Sequence, residues 1–288
     1  MIPPERNREN FADPYVKEVK IRHRYKLLLK PYVQGVGLGT KRTAGADTGV
    51  PCIVIYVYPK MPKSQLGNSE LIPLLIEDVL TDVVELRPTQ AEVRTSQRTV
   101  DPRRTRRWRP APGGVSVGHF QLNGAGTLSG WVRDKETGEP LLLSCWHVLT
   151  NYGKARKGDP ILQPATIDGG TVETDTIGHL ERWVDVKMLG PNLGEAKSNL
   201  KFQIDSNRPL TVNYVDAAVA RPVSDDVVSC DILGLERSKG VTTPQFADNG
   251  VTSGRTSGTT YGKISAVGVD TFVGYPTGIA LFLDCVVT

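Results

Sequence analysis

The chain begins with a helical pattern of buried and exposed positions. One stripe recurs every three to four residues, which predicts an amphipathic helix, and its members are Val16, Val19, His23 and Leu27. Asp13 followed by Pro14 predicts the start of the helix, because a carboxylate caps free backbone amides and proline suits the first helical position. Pro31 predicts its end. His23 is therefore interpreted as a histidine at the edge of the core rather than as a ligand.

A glycine-rich strand and a hairpin are predicted next. The strand contains three alternate glycines: Gly35, Gly37 and Gly39. Their spacing, G-x-G-x-G, differs from the G-x-G-x-x-G of dinucleotide-binding loops, and a strand pattern follows instead of a helical one. The strand at 52–58 and the alternating positions at 81–86 complete a small α+β domain, which we place at residues 1–95.

Short β-branched runs separated by glycine and polar turns dominate the rest of the chain. They cover residues 115–120, 126–133, 141–145, 171–180, 212–220, 259–267 and 278–287. No long helical pattern separates them, so they predict an all-β barrel or sandwich over residues 114–288. Residues 96–113 are rich in arginine and proline and lack apolar periodicity, and we interpret them as a linker.

The composition is that of a globular protein with a locally basic segment. The 288 residues are 39% hydrophobic and 23% charged, and their net charge is +4. Six arginines lie between Arg98 and Arg109, around Trp108. Such a segment offers charge to RNA or to an acidic membrane, but arginine-rich connectors are common in globular proteins. We therefore expect no nucleic acid and no membrane among the partners.

The cysteine pattern and the amino terminus predict a cytoplasmic protein, if residue 1 is the natural start. The four cysteines are far apart and form no C-x-x-C pair: Cys52, Cys145, Cys230 and Cys285. Reduced thiols are expected rather than a zinc cluster or a disulfide scaffold. The first 30 residues are too charged for a signal peptide, and no apolar stretch reaches the ~18–20 residues of a membrane span. The sequence indicates no metal and no cofactor.

One histidine and one aspartate are candidate catalytic residues. His147 ends the apolar run 141–147, and Asp216 lies 69 residues later in the run 214–220. An imidazole can take the proton of a serine hydroxyl, and a buried carboxylate fixes the imidazole tautomer and stabilises its charged form. The alternative is a strand-end histidine and an unrelated solvated carboxylate. Order, spacing and flanking residues together favour His147 as general base and Asp216 as its orienting carboxylate.

The residues around this pair resemble the trypsin-like bacterial serine proteases of the chymotrypsin fold. The similar segments are 124–132, 144–149, 158–164, 168–170, 215–218 and 253–262, together with 35–39 and 81–85 in a leader-like amino-terminal part. The resemblance implies a mainly β protein, with an incomplete chymotrypsin-like double β-barrel preceded by a small α+β domain. It also implies a serine endopeptidase that acts on polypeptide substrates through a Ser-His-Asp triad.

The nucleophile of such a triad is missing from the sequence. No Gly-Asp-Ser-Gly stretch occurs, and the resemblance places the serine after a strand like 278–287, beyond residue 288. We therefore expect the 288-residue chain alone to be inactive, and a strand or chain outside it to complete the second barrel. The alternative function is a catalytically inactive protease-fold module that binds or assembles with a partner, which adds a strand to the sheet edge.

Three serines are alternative candidate nucleophiles. Ser116 lies in a G-x-S-x-G pattern, but a linker precedes it and no helix pattern follows, contrary to what a nucleophile elbow requires. Ser253 and Ser257 lie among glycines after Asp216. The resemblance places these two on second-barrel strands away from the catalytic corner, so structural roles are expected for them.

The remaining cysteine and histidine candidates have strand-like surroundings. Cys285 is flanked by apolar residues, and no glycine follows Gly278 to form the tight turn of an oxyanion hole. His119 and His179 lie in strand-like segments without a matching carboxylate pattern. Surface or core-edge roles are therefore expected for both histidines.

Overall fold

The computed structural model describes residues 13–91 and 100–288. It is mainly β, with 41% strand and 18% helix, and contains a mixed sheet and a curled half-barrel sheet. The strands are, in chain order, β1 (Val33–Thr43), β2 (Ala46–Val57), β3 (Leu75–Ile76), β4 (Val79–Glu85), β5 (Thr89–Gln90), β6 (Ala111–Gly113), β7 (Ser116–His119), β8 (Gly126–Thr127), β9 (Gly130–Arg133), β10 (Pro140–Ser144), β11 (Pro160–Leu162), β12 (Thr176–Trp183), β13 (Ala218–Pro222), β14 (Val228–Ile232), β15 (Asn249–Gly254), β16 (Gly258–Lys263), β17 (Ala266–Tyr275) and β18 (Gly278–Val287). The α-helices are α1 (Pro14–Leu28), α2 (Pro102–Thr105), α3 (Trp146–Leu149), α4 (Val172–Asp175) and α5 (Leu193–Asp205).

Helix α1 forms as its sequence predicts. The Asp13 side chain accepts a hydrogen bond from the backbone N–H of Tyr15 at 2.9 Å, which caps the first turn. Val19 and Leu27 are buried against the mixed sheet. His23 is half-buried, and its Nε2 lies 2.6 Å from a carboxylate oxygen of Glu77, so its expected position at the edge of the core is confirmed.

The alternate glycines of β1 allow a neighbouring strand to pack closely. A Cβ atom at Gly37 would lie 2.6 Å from Cγ2 of Val269 in β17, a distance that two carbon atoms do not tolerate. Strand β1 turns into β2 through Ala44 and Gly45, which both have positive φ, as a two-residue type I′ hairpin requires. The predicted glycine-rich strand and hairpin are therefore confirmed.

The mixed sheet joins strands from the two ends of the chain. Its order is β18-β17-β1-β2-β4-β3, and Gly35 of β1 is paired with Thr271 of β17. Residues 266–287, expected in a barrel domain over 114–288, thus share a sheet with strands expected in the domain 1–95. Residue alternation shows which face of a strand is buried, but it does not show which strand will pair with its edge.

The half-barrel contains the strands that surround the candidate histidine and aspartate. Its order is β8-β7-β11-β12-β13-β10-β9, with antiparallel neighbours throughout. Its core is apolar and includes Val117, Leu142, Ile161, Leu180 and Ala220. One predicted strand, 171–180, is wrong in its first half, because residues 172–175 form the helical turn α4.

Helix α5 is an element that the strand pattern missed. It begins after Asn192, whose side chain accepts a hydrogen bond from the backbone N–H of Glu195 and donates one to the Glu195 carboxylate. Ala196 and Leu200, four residues apart, are buried against the mixed sheet. The capping pair followed by this spacing was the signal that could have identified the helix.

The described part of the arginine-rich segment, residues 100–113, is packed onto the half-barrel and does not form a loose linker. Arg104 is buried and donates hydrogen bonds to the carbonyl of Gly114 and to the hydroxyls of Ser253 and Thr259. Arg109 donates to the Gln163 side chain at 2.8 Å. Residues 96–99 lie outside the described ranges. The guanidinium groups of Arg104 and Arg109 therefore stabilise the fold.

Candidate active site

Two neighbouring antiparallel strands bring His147 and Asp216 together. Strand β10 is paired with β13, with Ser144 opposite Ala218. Because one strand ends where its antiparallel partner begins, residues just after β10 and just before β13 lie at the same edge. His147 follows β10 by three residues on the short helix α3, and Asp216 precedes β13 by two. The sheet thereby joins residues that are 69 positions apart.

The predicted pair is hydrogen-bonded. Nδ1 of His147 lies 2.6 Å from Oδ2 of Asp216, and the backbone N–H of His147 donates to Oδ1 at 3.3 Å. The carboxylate can only accept, so Nδ1 carries the proton of this bond. In the neutral imidazole the lone pair is then on Nε2. This is the tautomer in which Nε2 can act as a base.

Tyr275 is a third member of the site, from the mixed sheet. Its hydroxyl donates to Oδ2 of Asp216 at 2.9 Å. Burial alone raises the pKa of Asp216, but the hydrogen bonds from His147 and Tyr275 outweigh burial and hold that pKa below its ordinary value. The carboxylate therefore stays ionised beside the imidazole. Sequence reasoning missed Tyr275, because it depends on the pairing of β17 with β1.

Aromatic rings surround the imidazole. Tyr152 stacks on His147 with ring centroids 5.8 Å apart, and Tyr275 meets it edge-on at 6.1 Å. Trp146 and Phe282 pack on Tyr275 from behind. Apolar surroundings strengthen the hydrogen bond between His147 and Asp216, because few water molecules compete for it.

A cavity of about 460 Å³ lies in front of His147. One wall comes from the half-barrel and the other from the turn between β15 and β16, and the lining residues are Ala125, Gly126, Thr127, Ser129, Cys145, His147, Val148, Gly254, Thr256 and Ser257. A space of this size admits several atoms of a peptide together with a nucleophilic side chain. The cavity therefore offers room for part of a ligand beside His147.

The turn that forms the second wall is anchored to the half-barrel. Arg255 is buried and makes a two-point contact with Asp168, in which Nε donates to Oδ2 at 2.9 Å and Nη2 donates to Oδ1. The backbone N–H of Arg255 also donates to the Thr127 hydroxyl at 2.9 Å. This planar two-point geometry fixes the neighbouring Thr256 and Ser257 relative to His147.

The expected distance of both hairpin serines from the catalytic corner is wrong for one of them. Ser257 lines the cavity, because the β15–β16 turn folds over the half-barrel edge. Ser253 is outside it, and its hydroxyl donates to the carbonyl of Leu233 at 2.6 Å. The hydroxyl of Ser257 contacts its neighbour Gly258 at 3.5 Å. Among the described serines and cysteines, none donates a hydrogen bond to Nε2 of His147.

The other candidate nucleophiles have structural roles. Ser116 is buried in β7, and its hydroxyl accepts a hydrogen bond from the backbone N–H of Ala165 at 3.0 Å. Cys285 lies inside β18, where burial raises the pKa of its thiol to about 11. Neither residue occupies the exposed tight turn that an activated nucleophile needs.

Cys145 lies close to the pair without forming a metal centre. Its sulfur and one atom each of His147 and Asp216 lie within 4.8 Å of one another. The Nδ1 to Oδ2 distance of 2.6 Å is that of a hydrogen bond, whereas two ligands of a tetrahedral zinc ion lie about 3.3 Å apart. Burial raises the pKa of the Cys145 thiol to about 12, so it is a neutral neighbour of Asp216.

His119 lies in the core, whereas a position at the surface or at the core edge was expected. His179 lies at the surface, in agreement with the expectation. His119 is buried, and its Nε2 lies 3.0 Å from a carboxylate oxygen of Asp159. Its Nδ1 accepts a hydrogen bond from the backbone N–H of Gln121. Both ring nitrogens are thus used within the fold. His179 is exposed, with Nδ1 3.1 Å from the carbonyl of Gly158.

No helix in the described ranges is long and apolar enough to span a bilayer. No protein-family model matches the chain, and no curated protein matches it. The geometry around His147 is therefore the basis for assigning a function.

Proposed function

We propose that the protein is a serine endopeptidase of the trypsin-like class, with His147 as general base and Asp216 as its orienting carboxylate. The observation that carries the proposal is the 2.6 Å contact between Nδ1 and Oδ2, made at the edge of an open cavity. The resemblance of the flanking sequence to proteases of the chymotrypsin fold supports the same assignment. We also propose that the half-barrel belongs to an incomplete chymotrypsin-like double β-barrel.

The proposed mechanism uses the lone pair of His147 Nε2. A serine hydroxyl in the cavity gives its proton to Nε2 while its oxygen attacks the carbonyl carbon of the substrate. The imidazolium that forms is stabilised by the Asp216 carboxylate through the bond at Nδ1. When the tetrahedral intermediate collapses, Nε2 returns the proton to the leaving amine. Water then repeats the sequence on the acyl-enzyme.

The serine in this mechanism comes from outside the described residues. Nε2 of His147 accepts no hydrogen bond from a described serine or cysteine, and the cavity has room for an additional side chain. A serine brought in by further sequence or by a second chain has to enter between Gly126 and the β15–β16 turn, because these form the two walls.

The alternative, an inactive binding module that gains a partner strand, has less support than expected. The outer edge of β18 is already used over part of its length, because Ile279 is hydrogen-bonded to Gly190 and Leu283 to Asn213. Only the last residues of the strand extend beyond these contacts. The binding module is still tested as an alternative, because no described serine or cysteine donates a hydrogen bond to Nε2 of His147.

A fluorophosphonate probe tests the proposal. The product of the natural gene and the chain of residues 1–288 are treated in parallel, and labelled serines are located by mass spectrometry. We expect labelling of the natural product at a serine outside the described residues, and none of the 288-residue chain. His147→Ala should abolish labelling, and Asp216→Asn should slow peptide hydrolysis about 10⁴-fold. His179→Ala is the matched control and should change neither. Labelling of neither protein would favour the binding module.

A further inference from the structure

The mixed sheet contributes a side chain to the site of the half-barrel. Tyr275 is the last residue of β17, and its hydroxyl donates to Oδ2 of Asp216 at 2.9 Å. The same oxygen accepts the bond from Nδ1 of His147, and Oδ1 accepts the backbone N–H of His147. Both oxygens of the Asp216 carboxylate thus accept hydrogen bonds. The carboxylate cannot turn out of this plane without breaking its bonds to His147 and Tyr275.

Packing fixes the Tyr275 ring in the orientation that this bond requires. The side chain is 7% exposed and lies edge-on to Trp146, with centroids 6.1 Å apart, and stacked on Phe282 at 6.3 Å. The hairpin that follows it is pinned as well, because the backbone N–H of Ile279 donates to the carbonyl of Gly190 at 2.7 Å. The hydroxyl is therefore delivered by a rigid strand end rather than by a mobile loop.

We propose that Tyr275 is a positioning residue for the catalytic pair, which holds the Asp216 carboxylate in the plane where it orients His147. Its effect on catalysis rests on the proposed peptidase function, but its effect on Asp216 does not. The hydroxyl is a permanent donor, because burial and the neighbouring carboxylate raise the pKa of Tyr275 above its ordinary value. The described titratable groups that face Asp216 are His147, Tyr275 and Cys145.

This role makes the amino-terminal strands part of the active site. Strand β17, which ends at Tyr275, is paired with β1 through Gly35 opposite Thr271, and nearer its end with β5 through Gln90 opposite Gly274. Removal of β1 and β5 together would free this edge of β17 and loosen the strand that delivers the hydroxyl. The amino-terminal part is therefore a component of the working site rather than a leader to be discarded.

The test is the Tyr275→Phe variant of the full chain, because phenylalanine keeps the ring packing and removes only the hydroxyl. Carbon-13 NMR of the aspartate carboxyl groups follows the titration of Asp216. We expect the pKa of Asp216 to rise by about one unit, since the variant removes one of its hydrogen-bond donors. Tyr261→Phe, at a tyrosine that is 83% exposed on β16, is the matched control and should leave this pKa unchanged.

An unchanged Asp216 titration in folded Tyr275→Phe protein would overturn the proposal. If the variant does not fold in ordinary buffer, a double-mutant cycle with Asp216→Asn is measured by urea unfolding in a stabilising solvent in which all four proteins fold. Coupling between the two substitutions supports the bond and additivity contradicts it. In the complete, active enzyme we expect kcat to fall about tenfold with KM unchanged. A shifted Asp216 titration without any peptidase activity would leave the positioning role intact and remove only the proposed function.

Discussion

Lys20 of α1 and Asp270 of β17 form a buried ion pair, with Nζ 2.5 Å from Oδ2. Their side chains are 4% and 1% exposed, and Arg24 lies 3.7 Å from the same carboxylate oxygen. The ion pair links helix α1 to strand β17. Burial lowers the pKa of Lys20, and the neighbouring Asp270 carboxylate opposes this effect. The helix is thus held to the mixed sheet by charge as well as by apolar packing.

Breaking this ion pair should be strongly destabilising. Lys20→Met leaves the Asp270 carboxylate buried with less compensation, and we expect a loss of about 3–5 kcal/mol in the free energy of unfolding. Lys20→Met combined with Asp270→Leu should recover part of this loss, because both charges of the pair are removed together, while Arg24 and the backbone N–H of Asp284 lose their contacts with Asp270. Urea unfolding measures both. The exposed pair Lys201–Asp205 is the control, and its loss should cost less than about 1 kcal/mol. A small effect at both pairs would contradict the buried contact.

A cut between the two described ranges should not release the amino-terminal part. We expect that insertion of a specific protease site within residues 92–99, followed by cleavage, gives two fragments that co-elute in size-exclusion chromatography. The reason is that β1 remains paired with β17, and Lys20 with Asp270. Separation of the fragments without denaturant would show that the mixed sheet is not formed as described.

Much of the site was predictable from the sequence, but the third residue was not. The apolar runs around His147 and Asp216 and their order along the chain indicated the pair, because these features are local. Tyr275 and the pairing of β17 with β1 arise from contacts between distant segments, which residue alternation does not encode. Helix α5 was not predicted, because only Ala196 and Leu200 form its buried stripe and the capping pair of Asn192 and Glu195 is a short local signal.

The four cysteines should differ sharply in reactivity. Cys230 is exposed, whereas burial raises the thiol pKa of the other three, to about 12 for Cys52 and Cys145 and about 11 for Cys285. A thiol-reactive chromogenic reagent at pH 8 should therefore modify one thiol rapidly and the remaining three only after unfolding. Cys230→Ser should remove the rapid phase. Rapid modification of several thiols in this variant would contradict the described burial.

Lys197 should make stability depend on pH in the alkaline range. Burial lowers its pKa to about 8, and its ammonium group donates to the carbonyls of Lys30 and Val33, with no carboxylate partner among the described residues. Between about pH 8 and pH 10.4 the unfolded chain binds a proton here that the folded chain does not. The free energy of unfolding of the wild type, relative to Lys197→Met, should therefore rise with pH across this window. Urea titrations at several pH values measure it, and a constant difference would exclude the lowered pKa.

The protonation of His147 is the most direct test of the whole account. Long-range proton–nitrogen NMR on the nitrogen-15-labelled chain identifies which ring nitrogen of a histidine carries the proton. Near neutral pH we expect the neutral His147 ring to carry its proton on Nδ1, towards Asp216, with an unprotonated Nε2 facing the cavity, and Asp216→Asn to disturb this preference. A neutral ring with its proton on Nε2 in the wild type would contradict the account, because Nε2 would then have no lone pair with which to accept the proton of a nucleophile.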